Sequence, residues 1–410
     1  MSLTSNSSSL FKQRDFVLFM IARLFGHLGA QIQTVAVGWV VYSKTSNPLD
    51  LGWIGLSQFA PFVLLILPAG HFADHHDRRR IVMTCYAVHV LCAVALGILT
   101  WIDLPTVWPI FAVMTLLGTA RAFVMPATQA LMPNLVSPPQ FGRAVAINSI
   151  GYQASTIMGP ALGGLLLIGS EQLVFGVIVL FMIAATLCVM QVRARPTIEA
   201  RANEPGLKSL LSGLHFVRSR PIVLGAISLD LFAVLFGGAV ALMPIYARDI
   251  LHVGPTGLGM LRAAPGVGAV ISAMLLTAKP INQHVGSWLF GSVIIFGLST
   301  IVFGITTNFV VSLIALAILG ASDMMSVFVR GYLVQVMTPD YIRGRVSAVS
   351  SVFIGASNEL GEFESGLTAA WWGTVRAVAI GGAATVAVAA LWIKLFPALR
   401  NMDQFPVAER

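Results

Sequence analysis

Nine ionisable side chains sit inside otherwise apolar runs of this 410-residue sequence: Arg23, Arg121, Asp230, Arg262, Asp323, Arg330, Glu359, Glu362 and Glu364. Only 10% of the chain is charged, so each of these placements needs a reason. In hydrocarbon an ionisable group costs about 2.5 to 3.5 kcal/mol on insertion scales, and those that persist mark ion, proton or substrate paths. Burial penalises the charged form of a carboxyl, which suits a group that must take up and release protons near neutral pH. Asp323 and Glu359 are the leading proton carriers. Glu362 shares a helical face with Glu359 at i, i+3, and Asp230 completes the acidic set, whereas Glu364 points elsewhere and lies nearer the end of its segment. Arg23, Arg121, Arg262 and Arg330 read as the cationic lining of a substrate cavity, although Arg23 is close enough to its segment's start to reach the interface instead. His27 and His89 read as hydrogen-bonded core residues.

The elements that must position these groups follow from composition. At 57% hydrophobic and a mean hydropathy of +0.84, the chain has too little charge to cover a soluble surface. Twelve apolar segments of membrane-crossing length appear, at about 16–43, 52–73, 81–101, 107–130, 144–168, 172–192, 221–247, 255–278, 287–305, 309–337, 346–370 and 375–396. With the N-terminus in the cytoplasm, 18 of the 25 basic residues fall on the cytoplasmic side, which places both termini there. The net charge of +8 is therefore a topology signal, and no nucleic-acid partner is expected. Cys85, Cys92 and Cys188 lie in apolar runs without metal-type spacing, and His75-His76-Asp77, three consecutive residues, cannot all face one ion. No metal or cofactor is expected, and no nucleophile or phosphate-loop constellation suggests an enzyme.

The polar stretch 193–220 divides the segments six and six, giving halves at 1–192 and 221–400 and a tail at 401–410. Within it, LKSLLSGLHFV has helical apolar spacing and predicts a short amphipathic helix on the membrane surface. The halves repeat. At an offset of 202, Gly118 meets Gly320, Gly159 meets Gly361, Gly164 meets Gly366 and Arg121 meets Asp323; at 204, residues 55–61 meet 259–265; at 207, Arg23 meets Asp230. Parallel six-helix halves suit a secondary transporter with its path between them. The sign inversion at the two charged positions predicts a basic first half facing an acidic second half, with Arg121 pairing to Asp323.

Two motifs stand out. The loop GHFADHHDRRRIV (70–82) places Asp74 at a helix end, where it can pair with arginines or a helix N-terminus and bias which side is open. At the 204 offset its counterpart is Ala278, so only the first loop should act. In STIMGPALGG (155–164), Gly159, Gly163 and Gly164 allow close helix approach and Pro160 bends the helix.

The first motif resembles the loop signature of the major facilitator superfamily, G-x-L-A-D-R-x-G-R-[KR]. Gly70, Phe72, Ala73, Asp74, Arg78 and Arg79 stand at matching positions, and His75 and Asp77 depart from it. The second resembles the G-P-x-x-G-G signature of the superfamily's exporters, without its upstream glycine. LLGTARAFVMPA resembles its fourth-helix motif around a mid-membrane arginine, here Arg121, with Met125 in place of a glycine. Through PGLKSLLSGLHFV and TPDYIRGRVSAV the chain is similar to the branch that holds siderophore exporters and macrolide-efflux proteins. The resemblance implies an all-α, twelve-helix inner-membrane protein, monomeric, that exports a siderophore or drug-like amphiphile in exchange for protons, with Gly70, Asp74, Arg78 and Arg79 as a conformational latch. A lipid-handling or non-transporting sensor protein on the same fold is the alternative.

Overall fold

Among the residues described by the computed structural model, 10–102, 106–193 and 206–406, every regular element is helical and none is a strand. Most of the polar linker (194–205, with Arg195 and Arg201) and Arg410 in the tail lie outside the described residues. The predicted segments emerge as α1 (Arg14–Thr45), α2 (Pro48–His75), α3 (Arg78–Trp101), α4 (Trp108–Leu131), α5 (Phe141–Leu166) and α6 (Glu171–Gln191). The short linker helix α7 (Gly206–Ser219) follows them. Local chemistry sets several starts. Asn47 accepts from the Leu49 amide ahead of Pro48, Asp77 accepts from the Arg79 and Arg80 amides, and Ser170 accepts from the Leu173 amide. Asp77, which breaks the loop signature, is thus the N-cap of α3.

The seventh segment is not one helix. α8 (Pro221–Phe236) stops at Gly237, a 3-10 turn covers Ala239–Leu242, α9 (Met243–Ile245) is a single turn, and a π-helical turn runs Tyr246–Ile250. Gly237-Gly238 and Pro244 account for the break. A Cβ on Gly238 would lie 2.5 Å from the Gly361 carbonyl, so the kink lets another backbone in. Tyr246, fully buried, anchors the far side by donating to the Gly304 carbonyl at 2.7 Å.

The remaining helices are α10 (Gly254–Ala278), α11 (Val285–Ile305), α12 (Phe309–Val336), α13 (Asp340–Trp372), α14 (Thr374–Leu395) and α15 (Pro397–Arg400). Ten helices among the described residues are long and apolar enough to cross a membrane. α5 and α13 are not among them, although they have 26 and 33 residues. Both pack across the middle of the molecule, where Asn148, Gln153 and Thr156 on one and three glutamates on the other need not face hydrocarbon. Large apolar side chains such as Leu91, Leu180, Leu298 and Leu391 are exposed on other helices, as a lipid-facing surface requires.

α1 packs on α5 and α6, α2 on α4, and α3 on α4 and α6; in the second group α10 packs on α12, α11 on α12 and α14, and α8 on α13 and α14. Two pairs join the groups, α5 with α10 and α2 with α13. Their closest approaches are at glycines. A Cβ on Gly164 would sit 2.8 Å from Gly259 Cα, and one on Gly366 would sit 2.9 Å from Gly52 Cα and 3.0 Å from the Pro48 carbonyl. These contacts lie toward the end of the bundle away from Arg14 and Leu395, hereafter the far end. Gly159 and Gly163 serve a different neighbour, packing against α1 at Leu28 and Ile32.

Packing also corrects the repeat register. Gly118 lies on Gln58 as Gly320 lies on Pro265, and Gly366 lies on Pro48 and Gly52 as Gly164 lies on Pro255 and Gly259. These equivalences all place α10 at an offset of 207 from α2, not 204. The counterpart of Asp74 is therefore Ile281 rather than Ala278, and the counterpart of Arg262 is Gly55. The 204 match was three residues out, close to one helical turn, so it kept apolar faces aligned while misassigning partners.

Gly164→Val overpacks the α5–α10 crossing and should lower the thermal midpoint of the purified protein by a few degrees. Gly151→Ala, whose Cβ meets nothing within 4 Å, should leave it unchanged. Differential scanning fluorimetry in detergent checks both, and equal midpoints would mean the crossing does not constrain the fold.

Candidate functional site

Arg121, halfway along α4, reaches across to the other group of helices and pairs with Glu359 of α13 at 2.7 Å. The Arg121 side chain is 49% exposed and that of Glu359 is 14% exposed, so the pair faces an open space between the groups. The guanidinium lies 5.1 Å over the Phe62 ring of α2, a cation–π contact that helps hold it there. One turn along α13, Glu362 lies against Gly55 of α2, where an added Cβ would meet its Oε2 at 2.9 Å. Arg262 of α10 and Glu362 are near enough for each charge to act on the other, and Arg121 and Glu359 also act on Glu362. A Cβ on Gly38 of α1 would lie 3.8 Å from Arg262 Nη2, and Arg262 Nε is buried without a hydrogen-bond partner among the described residues. Two arginines and two glutamates, drawn from α4, α10 and α13 and bordered by α1 and α2, therefore meet at the seam.

The predicted pairing of Arg121 with Asp323 does not occur. Asp323 borders a small cavity inside the second group, with Asp230, Ser292, Ser322 and Ser326 around it, and forms no ion pair among the described residues. Its side chain is turned to that cavity and away from Arg121. Arg330, expected to line the cavity, is instead 5% exposed and ion-paired with Asp230, itself 7% exposed, inside one half. Two such charges stay buried only together, because removing either leaves an uncompensated charge. Arg23 lies 3.4 Å from His27 and 5.8 Å from the Phe19 ring centre. His89 bonds Gln33 within the first group. Glu364, half-buried, bonds Ser365 away from the cluster.

The loop residues act within the first group. Arg78 donates to the Ala130 carbonyl at the end of α4 at 3.1 Å and lies 4.0 Å from Asp74, while Arg79 donates to the Val189 carbonyl at 3.1 Å and to that of Met190. Cations on the last carbonyls of α4 and α6 complement those helix C-termini. Gly70 has open space where its Cβ would be.

Sequence reasoning missed the far-end closure. Tyr42 of α1 donates to Asp249, and Arg248 donates to the Tyr42 carbonyl at 3.0 Å with its guanidinium 5.6 Å over the ring. The signal was an Arg-Asp pair ending the seventh segment. Phe62, Gly38 and Gly55 were also missed, since an apolar or small residue on an apolar helix gives no cue.

A helical protein with two groups of helices joined at one end and a charge cluster at their seam has the form of a membrane transporter. The chain belongs to the family described as transmembrane secretion effectors, whose model matches residues 5–409, and it is a transporter of the major facilitator type rather than an enzyme. Enterobactin exporter EntS of Citrobacter koseri is 24% identical over 403 residues, 98% of this chain and 96% of that protein. Multidrug efflux pump Tap of Mycolicibacterium fortuitum is 24% identical over 371 residues, 85% and 88% of the two chains. In fold, a mutant form of nucleoside transporter NupG superposes with a TM-score of 0.76 at 11% identity, over 93% of this chain and 100% of that one.

If the Arg121–Glu359 pair carries function, Arg121→Glu and Glu359→Arg should each abolish transport and the double reversal should recover a measurable part of it. Arg121→Asp combined with Asp323→Arg should recover none. Transport in vesicles checks both, and recovery by the second combination would restore Asp323 as the partner.

Proposed function

We propose that this protein is a proton-coupled exporter of an amphiphilic small molecule, a siderophore or drug-like compound, working by alternating access. The observation that carries the reading is the Arg121–Glu359 pair beside Glu362 and Arg262, at a seam between two groups of helices. A salt bridge joining the halves holds one conformation, and protonating Glu359 removes its charge and frees Arg121. Glu362, close to two arginines and one carboxylate, is placed to pass or share that proton. Hydroxyl donors of a substrate can bind the ionised carboxylates of Glu359 and Glu362, and a proton on either carboxylate displaces them, so substrate and proton compete for the same acids, which is the requirement for exchange. Asp323 is a second acidic site deeper in the C-terminal half, beside Asp230, which Arg330 holds, and Arg23, Arg121 and Arg262 line the path.

The remaining parts are assigned to match. Twelve helices cross the bacterial inner membrane, 1–192 and 221–400 are the moving halves, 193–220 is their linker, both termini lie in the cytoplasm, and the protein works as a monomer among membrane lipids. The positive-inside pattern supports that orientation. The two glycine-on-glycine crossings and the Tyr42–Asp249 closure lie toward the far end, which supports reading this as an outward-closed state open to the cytoplasm. Gly70, Asp74, Arg78 and Arg79 act as the latch of the first half when the cytoplasmic side closes. The similarity to an enterobactin exporter and a multidrug pump supports export.

In inside-out vesicles, an acidic interior should drive uptake of siderophores, macrolides or dyes. Glu359→Gln should lose this acceleration while keeping gradient-free exchange of substrate across the membrane. Full gradient dependence in Glu359→Gln would sink the coupling role of that residue.

A further inference from the structure

Between α1 and α5, toward the end of the bundle that carries Arg14, lies a cleft of about 620 Å³ including its open mouth. Its wall is chiefly apolar, with Phe16, Met20 and Ile147 among the lining residues, and its polar groups are Arg23, His27, Asn148 and Tyr152. The ring of Tyr152 stands edge-on to His27 at 5.1 Å. Arg23 is the sole charged group on this wall, and no carboxylate pairs with it among the described residues. Its Nε is buried without a hydrogen-bond partner among the described residues, one Nη lies 3.4 Å from the His27 ring, and the neutral Tyr86 phenol is close enough to act on its charge. Contrast Arg330 and Arg121, each of which holds a carboxylate. A guanidinium taken partly out of water without a counter-ion is a costly arrangement unless an anion completes it, and its planar donor fork suits a carboxylate or phosphate.

We propose that this cleft binds the anionic head of an amphiphile, a carboxylate or phosphate carried on an apolar body, with Arg23 as the anchor. The apolar body lies along Val17 and Met20, and Asn148 and Tyr152 supply further hydrogen bonds near the head. The assignment rests on the transporter reading for the fate of the occupant, which enters here from the open side, while binding itself does not depend on that reading. It also narrows the substrate class, because cationic drugs would be repelled at this point.

The test uses the full chain in nanodiscs of neutral phosphatidylcholine and three fluorescent probes that share one ring system: pyrenebutyrate, pyrenebutanol and a pyrenebutyl-trimethylammonium salt. Pyrenebutyrate should bind more tightly than the other two. Arg23→Gln should weaken it by roughly ten- to a hundredfold, with little effect on the alcohol, the scale expected for losing a charge-assisted bond. Gly151→Leu, placed in the cleft at a position whose Cβ meets nothing within 4 Å, should block the butyrate and the alcohol alike without loss of folding. Repeating the titration in phosphatidylglycerol nanodiscs separates the sources. Competition by the lipid assigns the head to a phospholipid, and unchanged affinity assigns it to a free solute. Equal binding of the cationic probe, or pyrenebutyrate binding unaffected by Arg23→Gln, would overturn the proposal. Equilibrium binding needs no proton gradient. Failed binding beside intact gradient-driven transport therefore removes the cleft alone, and intact binding without such transport removes the coupling reading alone.

Discussion

Two helix crossings with no side chain between them govern this architecture: Gly52 against Gly366, and Gly164 against Gly259. Where lipid is the solvent, the hydrophobic effect gives helices little reason to associate, and close backbone packing supplies it instead. The backbone-on-backbone contacts of α2–α13 and α5–α10 lie toward one end, while farther along the same seams side chains such as Ile157 and Gln153 against Gly266 fill the space. The cluster of Arg121, Glu359, Glu362 and Arg262 lies along these seams beyond the glycine crossings. Gly55 and Gly38 belong to the same logic, since each leaves room beside Glu362 or Arg262.

The intramembrane charges divide by exposure and partner. Arg330 and Asp230 are both nearly inaccessible and belong to one group of helices, so their pair ties α8 to α12. Arg121 is half exposed and its partner belongs to the other half, so that pair must break if the halves separate. Arg23 has a histidine and an aromatic ring but no acid. Three arginines that look alike in sequence therefore have three different electrostatic situations.

Local patterns were legible wherever one residue's chemistry decides the structure. Eleven of the twelve apolar segments each became one α-helix and the seventh a broken one, Asn47 and Ser170 capped as their types dictate, and LKSLLSGLHFV formed a helix that packs on α13. Glu359 and Glu362 share a face, as i, i+3 spacing requires. The break after Phe236 was readable in Gly237-Gly238 only in retrospect, because a glycine pair in an apolar run is as often tolerated as obeyed. The 204 register went wrong for a similar reason: a one-turn slip preserves every hydrophobic periodicity.

What the sequence determined by itself was the class of object: helices, their approximate ends, the internal repeat, the glycines that pack and the small set of charges worth attention. These follow from hydropathy, periodicity and residue type, all of which are local or additive. Which charge meets which was decided by tertiary structure alone. Pairing depends on side-chain reach and on the gap between helices from different halves, so Arg121 found Glu359 rather than the repeat-related Asp323, and Arg330 turned inward to Asp230. A repeat specifies equivalent positions along two helices. It does not specify the distance between them, and electrostatic pairing depends on that distance.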